Sequence, residues 1–318
     1  MDIAQNFSSI PMATLAAVSG LVMLVAGGEL LVSGAVKLAE RLGMSSLLIG
    51  LTVVAFGTSI PELFVSLSAV SQDHGDIMLG NVVGSNIANI GLVLGFSALL
   101  YPLTVHFKKI SLELYLLVAA SFTVVGIGLI GIFNRLYGII FFGVLLLYTY
   151  QAYRVGGNNQ ETPEKSDNAK VSSYFFVVSL CVTGLVILAL GSNLFIDGAI
   201  DLARFFGISD LVIGLTMAAV GTSLPELASS LSALRRNEGD LLVGNVIGSN
   251  LFNLMMVLGI CAIFRPFALP GQTLIRDLPI MICFSAVLIP VIFFRHGLNR
   301  FHGGVLLLAY CGYMYSLL

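Results

Sequence analysis

Apolar runs of helix-spanning length follow one another along the whole chain, separated by short polar breaks. The pattern predicts ten spans, at 12–36, 45–71, 76–101, 111–133, 136–153, 173–199, 209–234, 240–264, 274–294 and 301–316. Only one break is extended, the polar stretch GGNNQETPEKSDNAK, which reads as a flexible linker over 156–171.

The pattern also repeats. Residues 50–95 read GLTVVAFGTSIPELFVSLSAV and, further on, GNVVGSNIANIGLVLG; residues 214–259 read GLTMAAVGTSLPELASSLSAL and GNVIGSNLFNLMMVLG. The offset is 164 without a gap, and more than half of the paired positions are identical. Gly27 matches Gly191, Gly34 matches Gly198 and Pro102 matches Pro266 at the same offset. The pair Asn134-Arg135 before the fifth span matches Asn299-Arg300 before the tenth. Each repeat thus holds five spans, and an odd number turns the second repeat upside down relative to the first. The expected fold is an all-α integral membrane protein of ten transmembrane helices in two inverted-topology five-helix repeats, with helices 2 and 7 broken. The repeats fall at 1–155 and 172–318, joined by the linker at 156–171.

Composition agrees with this class. Of 318 residues 57% are hydrophobic and 10% charged, against about 25% charged in a soluble domain. No basic block points to nucleic acid. The four cysteines, Cys181, Cys261, Cys283 and Cys311, lie inside apolar runs without CxxC spacing and read as packed thiols. No Lys or Arg precedes the first run, which is therefore expected to be a permanent helix rather than a secretory signal. With the N-terminus outside, the inner loops hold 11 Lys and Arg and the outer loops 4. The bias predicts both termini outside and the linker in the cytoplasm of an inner or plasma membrane.

Within GTSIPEL, Pro61 has no N–H and its ring clashes with the carbonyl of Gly57, so the helix must break or kink. In a bilayer such backbone is tolerated only under protein cover or at a wet cavity. The carbonyls near Ala55 to Gly57 then become available, at the negative end of a half-helix. Thr58, Ser59 and Glu62 follow; the second copy supplies Ala219, Thr222, Ser223, Pro225 and Glu226 in the same order. In GNVVGSNIANIG, Asn81, Ser85 and Asn89 form an i, i+4, i+8 stripe, repeated as Asn245, Ser249 and Asn253, beside a small-residue stripe that allows close helix contact. With two carboxylates, hydroxyls, amides and carbonyls, the set is all oxygen, which suits hard cations such as Ca²⁺ and Na⁺. An ionised carboxylate at the bilayer centre costs about 2.5–3.5 kcal/mol. No Lys or Arg lies in either motif to neutralise Glu62 or Glu226. A divalent cation would do so, as would several monovalent ions or protons, and competition among these is a physical basis for exchange.

The duplicated GTSxPEL and GNxxGSNxxN blocks resemble the signature repeats of the calcium/cation antiporter superfamily, in particular its prokaryotic sodium/calcium exchanger branch. The resemblance covers essentially the whole chain. It implies calcium moved against sodium by alternating access, with no cofactor beyond the transported ions and no enzymatic activity. It assigns calcium to Glu62 and Glu226 with Thr58 and Thr222, and sodium to sites formed by Ser59, Ser223, Ser85, Ser249, Ala55 and Ala219. Some relatives carry Asp at a position matching Asn89 or Asn253; here both are Asn. Only two carboxylates therefore stand at the centre, which favours a sodium/calcium exchanger over a potassium-dependent one. The expected partners are Ca²⁺, Na⁺ and the lipid bilayer, and a monomer is compatible with the internal two-fold.

Plainer roles compete at several positions. Thr58, Ser59, Thr222 and Ser223 can back-bond to helix carbonyls. Asn81 and Asn245 divide between interhelical bonding and support of a ligand. Asn86 and Asn250 fall off the stripe and read as structural. Asp76 and Asp240 read as helix caps, and Glu29 and Asp197 as acids near a helix end or in a wet vestibule. A proton-coupled cation antiporter uses the same carboxylates and is the main alternative. A channel needs a ring of acids, and an intramembrane hydrolase lacks a base beside its hydroxyls.

Overall fold

The computed structural model describes residues 7, 9–156, 173–207 and 221–317. Within them the first repeat comprises α1 (Ile10–Leu42), α2 (Ser46–Thr58), α3 (Ile60–Ser71), α4 (Gly75–Leu100), α5 (Phe107–Ile130) and α6 (Arg135–Gly156). The second comprises α7 (Tyr174–Phe205), α8 (Leu224–Arg235), α9 (Gly239–Phe264), α10 (Thr273–Arg295) and α11 (Arg300–Leu317). Among the described residues seven helices are long and apolar enough to cross a membrane, and the bent pair α2–α3 makes an eighth. Of the two other expected spans, the seventh falls partly on 208–220 and the linker on 157–171, outside the described residues. The tenth is α11, an 18-residue helix that opens on Arg300 and His302 and is not among these eight.

The two repeats coincide element by element. Adding 164 to the bounds of α3 and α4 gives those of α8 and α9. Four two-residue strands show how the repeats meet: β1 (Leu103–Thr104), β2 (Ile132–Phe133), β3 (Phe267–Ala268) and β4 (Gly297–Leu298). β1 pairs with β4 and β2 with β3, both antiparallel. Each strand thus finds its mate in the other repeat, and the two pairings exchange under a two-fold rotation. Paired loops must lie on the same side of the membrane, so the crossings between them are even in number. Five spans per repeat meet that condition. Gly297, at φ +146°, is where the β1–β4 pair closes: a Cβ there would strike the Leu103 carbonyl.

The same two-fold governs α1 and α7, the longest helices at 33 and 32 residues. At 1.5 Å per residue each is about 50 Å long, against about 30 Å of hydrocarbon, so both must tilt or project. Glycines let them touch. Gly27 abuts Gly184 and Leu188, and Gly191 abuts Gly20 and Leu24. Gly34 meets Cys181, and Gly198 meets Ala17. Each contact is matched by its rotated copy, 164 residues on. The first and sixth expected spans are thus longer than hydropathy placed them, because their last turns pack on protein and carry charge.

The expected small-residue contact is present in the second repeat. A Cβ at Gly248 would lie 2.6 Å from the Leu51 carbonyl of α2, and Gly244 packs as tightly on Leu47. Two thiols, Cys181 and Cys261, are buried as expected; Cys283 and Cys311 instead lie on the exposed apolar surface.

Candidate cation-binding site

The break at Pro61 divides α2 from α3 with a bend of 40°. Ser59 sits at the junction with φ −84°, ψ 0°, and Ser223 repeats it with φ −87°, ψ 2°. Both lie in the sparsely used bridge region of backbone space, between α-helix and turn. α3 and α8 then carry Pro at their second positions, within the turn where its missing N–H costs no intrahelical bond, and a glutamate next in that first turn. The prolines therefore point the N-terminal, positive ends of two half-helices at their own acids.

Glu62 and Glu226 are fully buried, and none of their four carboxylate oxygens meets a donor at hydrogen-bond distance, although the Thr222 and Thr58 hydroxyls lie close enough to act on them as weak donors. The two carboxylates are near enough to feel each other's charge. Glu62 lies beside Thr222 and Glu226 beside Thr58, each across the repeat interface. Four residues apart, each threonine would share a face with the acid of its own helix if that helix were continuous. The bend turns them instead toward the acid of the other repeat.

Thr58 Oγ1 lies 3.2 Å from Ser249 Oγ and 3.3 Å from Asn245 Oδ1. Its rotated copy is Thr222 Oγ1, 3.0 Å from Ser85 Oγ. The stripes on α4 and α9 thus reach the breaks of the opposite repeat. Their first members hold the half-helices. Asn81 donates to the Glu62 carbonyl at 3.1 Å and to Ser66 Oγ at 2.9 Å. Asn245 donates to Ser229 Oγ at 3.1 Å, and Ser229 donates to the Glu226 carbonyl at 3.0 Å. Both asparagines act as glue that fixes the acids' backbone.

The hydroxyls of Ser59 and Ser223 are buried without a partner, as are Asn89 Oδ1 and both polar atoms of Asn253. The Ala55 carbonyl is engaged: it accepts the Ser59 N–H at 3.0 Å, because the chain is α-helical from Ala55 through Thr58 and the gap left by Pro61 falls on Gly57. Ala219 lies outside the described residues. Asn89 opens a π-helical turn (Asn89–Leu94) and Asn253 lies in another (Phe252–Val257). Such wide turns often occur at functional sites, and sequence periodicity does not reveal them.

No cluster of three or more His, Cys, Asp or Glu side chains suited to a metal occurs among the described residues. A cation here must be held by two carboxylates and neutral oxygens. Four acceptor oxygens in a dry interior without a donor are costly unless a cation or proton meets them. The donor set fits a hard ion of one or two charges.

Residues 12–154 and 176–318 each match the family model described as sodium/calcium exchanger protein. The chain belongs to that family. It is 37% identical over 316 residues to the putative antiporter CaxA of Alkalimonas amylolytica, covering 96% of this chain and 98% of that protein. It is 34% identical over 341 residues to the sodium/calcium exchanger MaX1 of Methanosarcina acetivorans, covering 93% and 95%. Its fold superposes on the sodium-calcium exchanger NCX_Mj soaked with 10 mM Na⁺ and zero Ca²⁺, with TM-score 0.84, 31% identity, and coverage of 98% and 100%. As a member of the family it is a multi-pass membrane cation exchanger, built from two copies of the exchanger repeat.

Three acidic features outside the site were absent from, or misplaced by, the sequence reading. Tyr148 of α6 donates to Glu113 of α5 at 2.9 Å, and Tyr313 of α11 donates to Asp277 of α10 at 3.4 Å. These are copies of one acid–tyrosine clasp between the last two helices of each repeat. The offsets, 164 for the acids and 165 for the tyrosines, carry the signal in the sequence. Asp76 and Asp240 sit in the first turns of α4 and α9, behind caps His74 and Glu238, so they face the helix dipole without capping. Glu29 forms an ion pair with Arg236 at 2.8 Å, joining α1 to the end of α8.

Proposed function

We propose that this exchanger moves Ca²⁺ against Na⁺ by alternating access, with the ions bound near the membrane midplane between the repeats. Calcium is held by Glu62 and Glu226 with Thr58 and Thr222. Sodium is held around it by Ser59, Ser223, Ser85, Ser249, Asn89 and Asn253, by backbone at Ala219 and, through the second lone pair left beside its bond from Ser59, at Ala55. The observation that carries this reading is the pair of fully buried carboxylates with four partnerless oxygens. Two negative charges suit one divalent ion or two or more monovalent ones, and the same oxygens cannot serve both loads at once. Sodium rather than proton coupling is favoured by the many neutral oxygens around the acids. A proton needs only the carboxylate, whereas a sodium ion needs a shell.

The deciding experiment is calcium uptake into proteoliposomes under an imposed sodium or proton gradient. An outward sodium gradient is expected to drive uptake. Uptake driven only by a proton gradient would replace sodium by protons as the coupling ion. We further propose that the repeats span 1–155 and 172–318, with both termini outside and the linker at 156–171 in the cytoplasm. A cysteine placed in the linker should then react with an impermeant maleimide only from the cytoplasmic side.

A further inference from the structure

Four asparagines sit at the centre of the α4–α9 contact, all fully buried: Asn86, Asn89, Asn250 and Asn253. The two-fold exchanges Asn89 with Asn253 and Asn86 with Asn250. Their bonds do not obey it. Asn89 Nδ2 donates to Asn250 Oδ1 at 3.1 Å, and Asn250 Nδ2 donates to the Asn86 carbonyl at 3.3 Å. The rotated copies of these bonds, Asn253 to Asn86 Oδ1 and Asn86 to the Asn250 carbonyl, are not made. Asn86 Nδ2 turns back to its own helix and donates to the Val82 carbonyl at 2.8 Å. Asn86 Oδ1 and both polar atoms of Asn253 have no partner.

Identical residues in matching places thus adopt two settings. On one side the amide N–H₂ of Asn89 is taken by Asn250, so its Oδ1, buried and without a donor, is the atom left for an ion. On the other side Asn253 is not oriented by any side chain, although its would-be acceptor, Asn86 Oδ1, is also without a donor. An inverted repeat does in one facing state what its copy does in the other.

We propose that Asn86 and Asn250 are positioning residues that work in turn. Asn250 fixes the Asn89 oxygen toward the ions in the state seen here, and Asn86 fixes the Asn253 oxygen in the opposite-facing state. The inference rests on the ion site proposed above and adds to it a sidedness. Each crossing bond holds one ligand while the site opens to one side of the membrane, and the reversal of both bonds accompanies the change of side.

The test measures half-saturating Ca²⁺ for sodium-driven exchange from each face, in right-side-out and inside-out vesicles. Asn250→Leu and Asn86→Leu keep the volume and remove the bond. Asn250→Ser and Asn86→Ser satisfy themselves on their own helix and cover the case in which leucine disturbs folding. Each loses one interhelical bond, which corresponds to roughly three- to tenfold in affinity. The expected result is that the ratio of the two half-saturations moves about that far in opposite directions for the residue 86 and residue 250 variants. In an Asn89→Leu background, the residue 250 change should have no further effect on the ratio. A ratio that stays constant, or moves the same way in both variants, overturns the inference. Failure of the underlying ion site looks different: Glu62→Gln would then still exchange calcium.

Discussion

Glu62→Gln isolates the charge of the site from its shape. Glutamine is isosteric, and in the dry interior it replaces an acceptor oxygen with an N–H₂ that points two protons at the ion. Glu62 is fully buried, its two oxygens meet no donor at hydrogen-bond distance, and the neutral Thr222 hydroxyl beside it cannot replace the lost charge. Breaking one half of a buried charge pair costs about 3–5 kcal/mol, or roughly two to four powers of ten in half-saturating Ca²⁺. Coulomb energy is proportional to ion charge, so a sodium ion at the same distance loses about half as many decades. Stability should move the other way. In ion-free buffer the variant escapes a carboxylate insertion cost of about 2.5–3.5 kcal/mol, and its melting temperature should rise or hold. The assay pairs sodium-driven ⁴⁵Ca²⁺ uptake in proteoliposomes with thermal melts in detergent, with and without Ca²⁺. The variant is expected to lose uptake and to lose the upward melting shift given by Ca²⁺. Normal uptake would remove Glu62 from the site. A variant that melts early in ion-free buffer would show that the acid serves the fold instead.

Three further outcomes follow from the geometry. Thr58→Val removes the hydroxyl that meets Ser249 and Asn245 and lies beside Glu226; half-saturating Ca²⁺ should rise roughly tenfold, and Thr222→Val should match it. Pro61→Ala restores an N–H opposite the Gly57 carbonyl and relaxes the 40° bend; turnover in flux assays should fall more than thermal stability does. Tyr148→Phe strands buried Glu113 without its 2.9 Å donor and should lower stability by about 1–3 kcal/mol while leaving half-saturating Ca²⁺ unchanged. Tyr313→Phe should cost less, since its bond is 3.4 Å and Asp277 keeps Arg276 at 2.8 Å.

Much of this was legible because the chain states it twice. The acids, the breaks and the oxygen stripes lie in repeated motifs, and apolar length alone located the spans. What was not legible depends on how the copies face each other. Four residues apart on one continuous helix, Thr58 would face Glu62, but the 40° bend and the two-fold hand it to Glu226. Asn86 and Asn250 fell off the oxygen stripe on an ideal helix. The stripe describes one helix face, whereas these residues serve the seam between α4 and α9, and Asn250 crosses that seam to Asn89. The Ala55 carbonyl read as free because Pro61 removes a donor; the Ser59 N–H takes it, and the gap falls two residues later. The acid–tyrosine clasps lie outside the motifs, and only the repeat offset would have drawn attention to them.

The crossed strand pairs bear on how such a protein is made. β1 and β2 leave the ribosome well before β4 and β3, with which they pair. Through that interval Glu62 also lacks Thr222, and α1 lacks α7 along its glycine seam. The first repeat must therefore be held in the membrane as an unfinished half, with an acid facing nothing, until translation delivers its counterpart. A nascent chain arrested after α6 should remain bound to the insertion machinery, and the same half supplied with the second repeat as a separate polypeptide should be released from it.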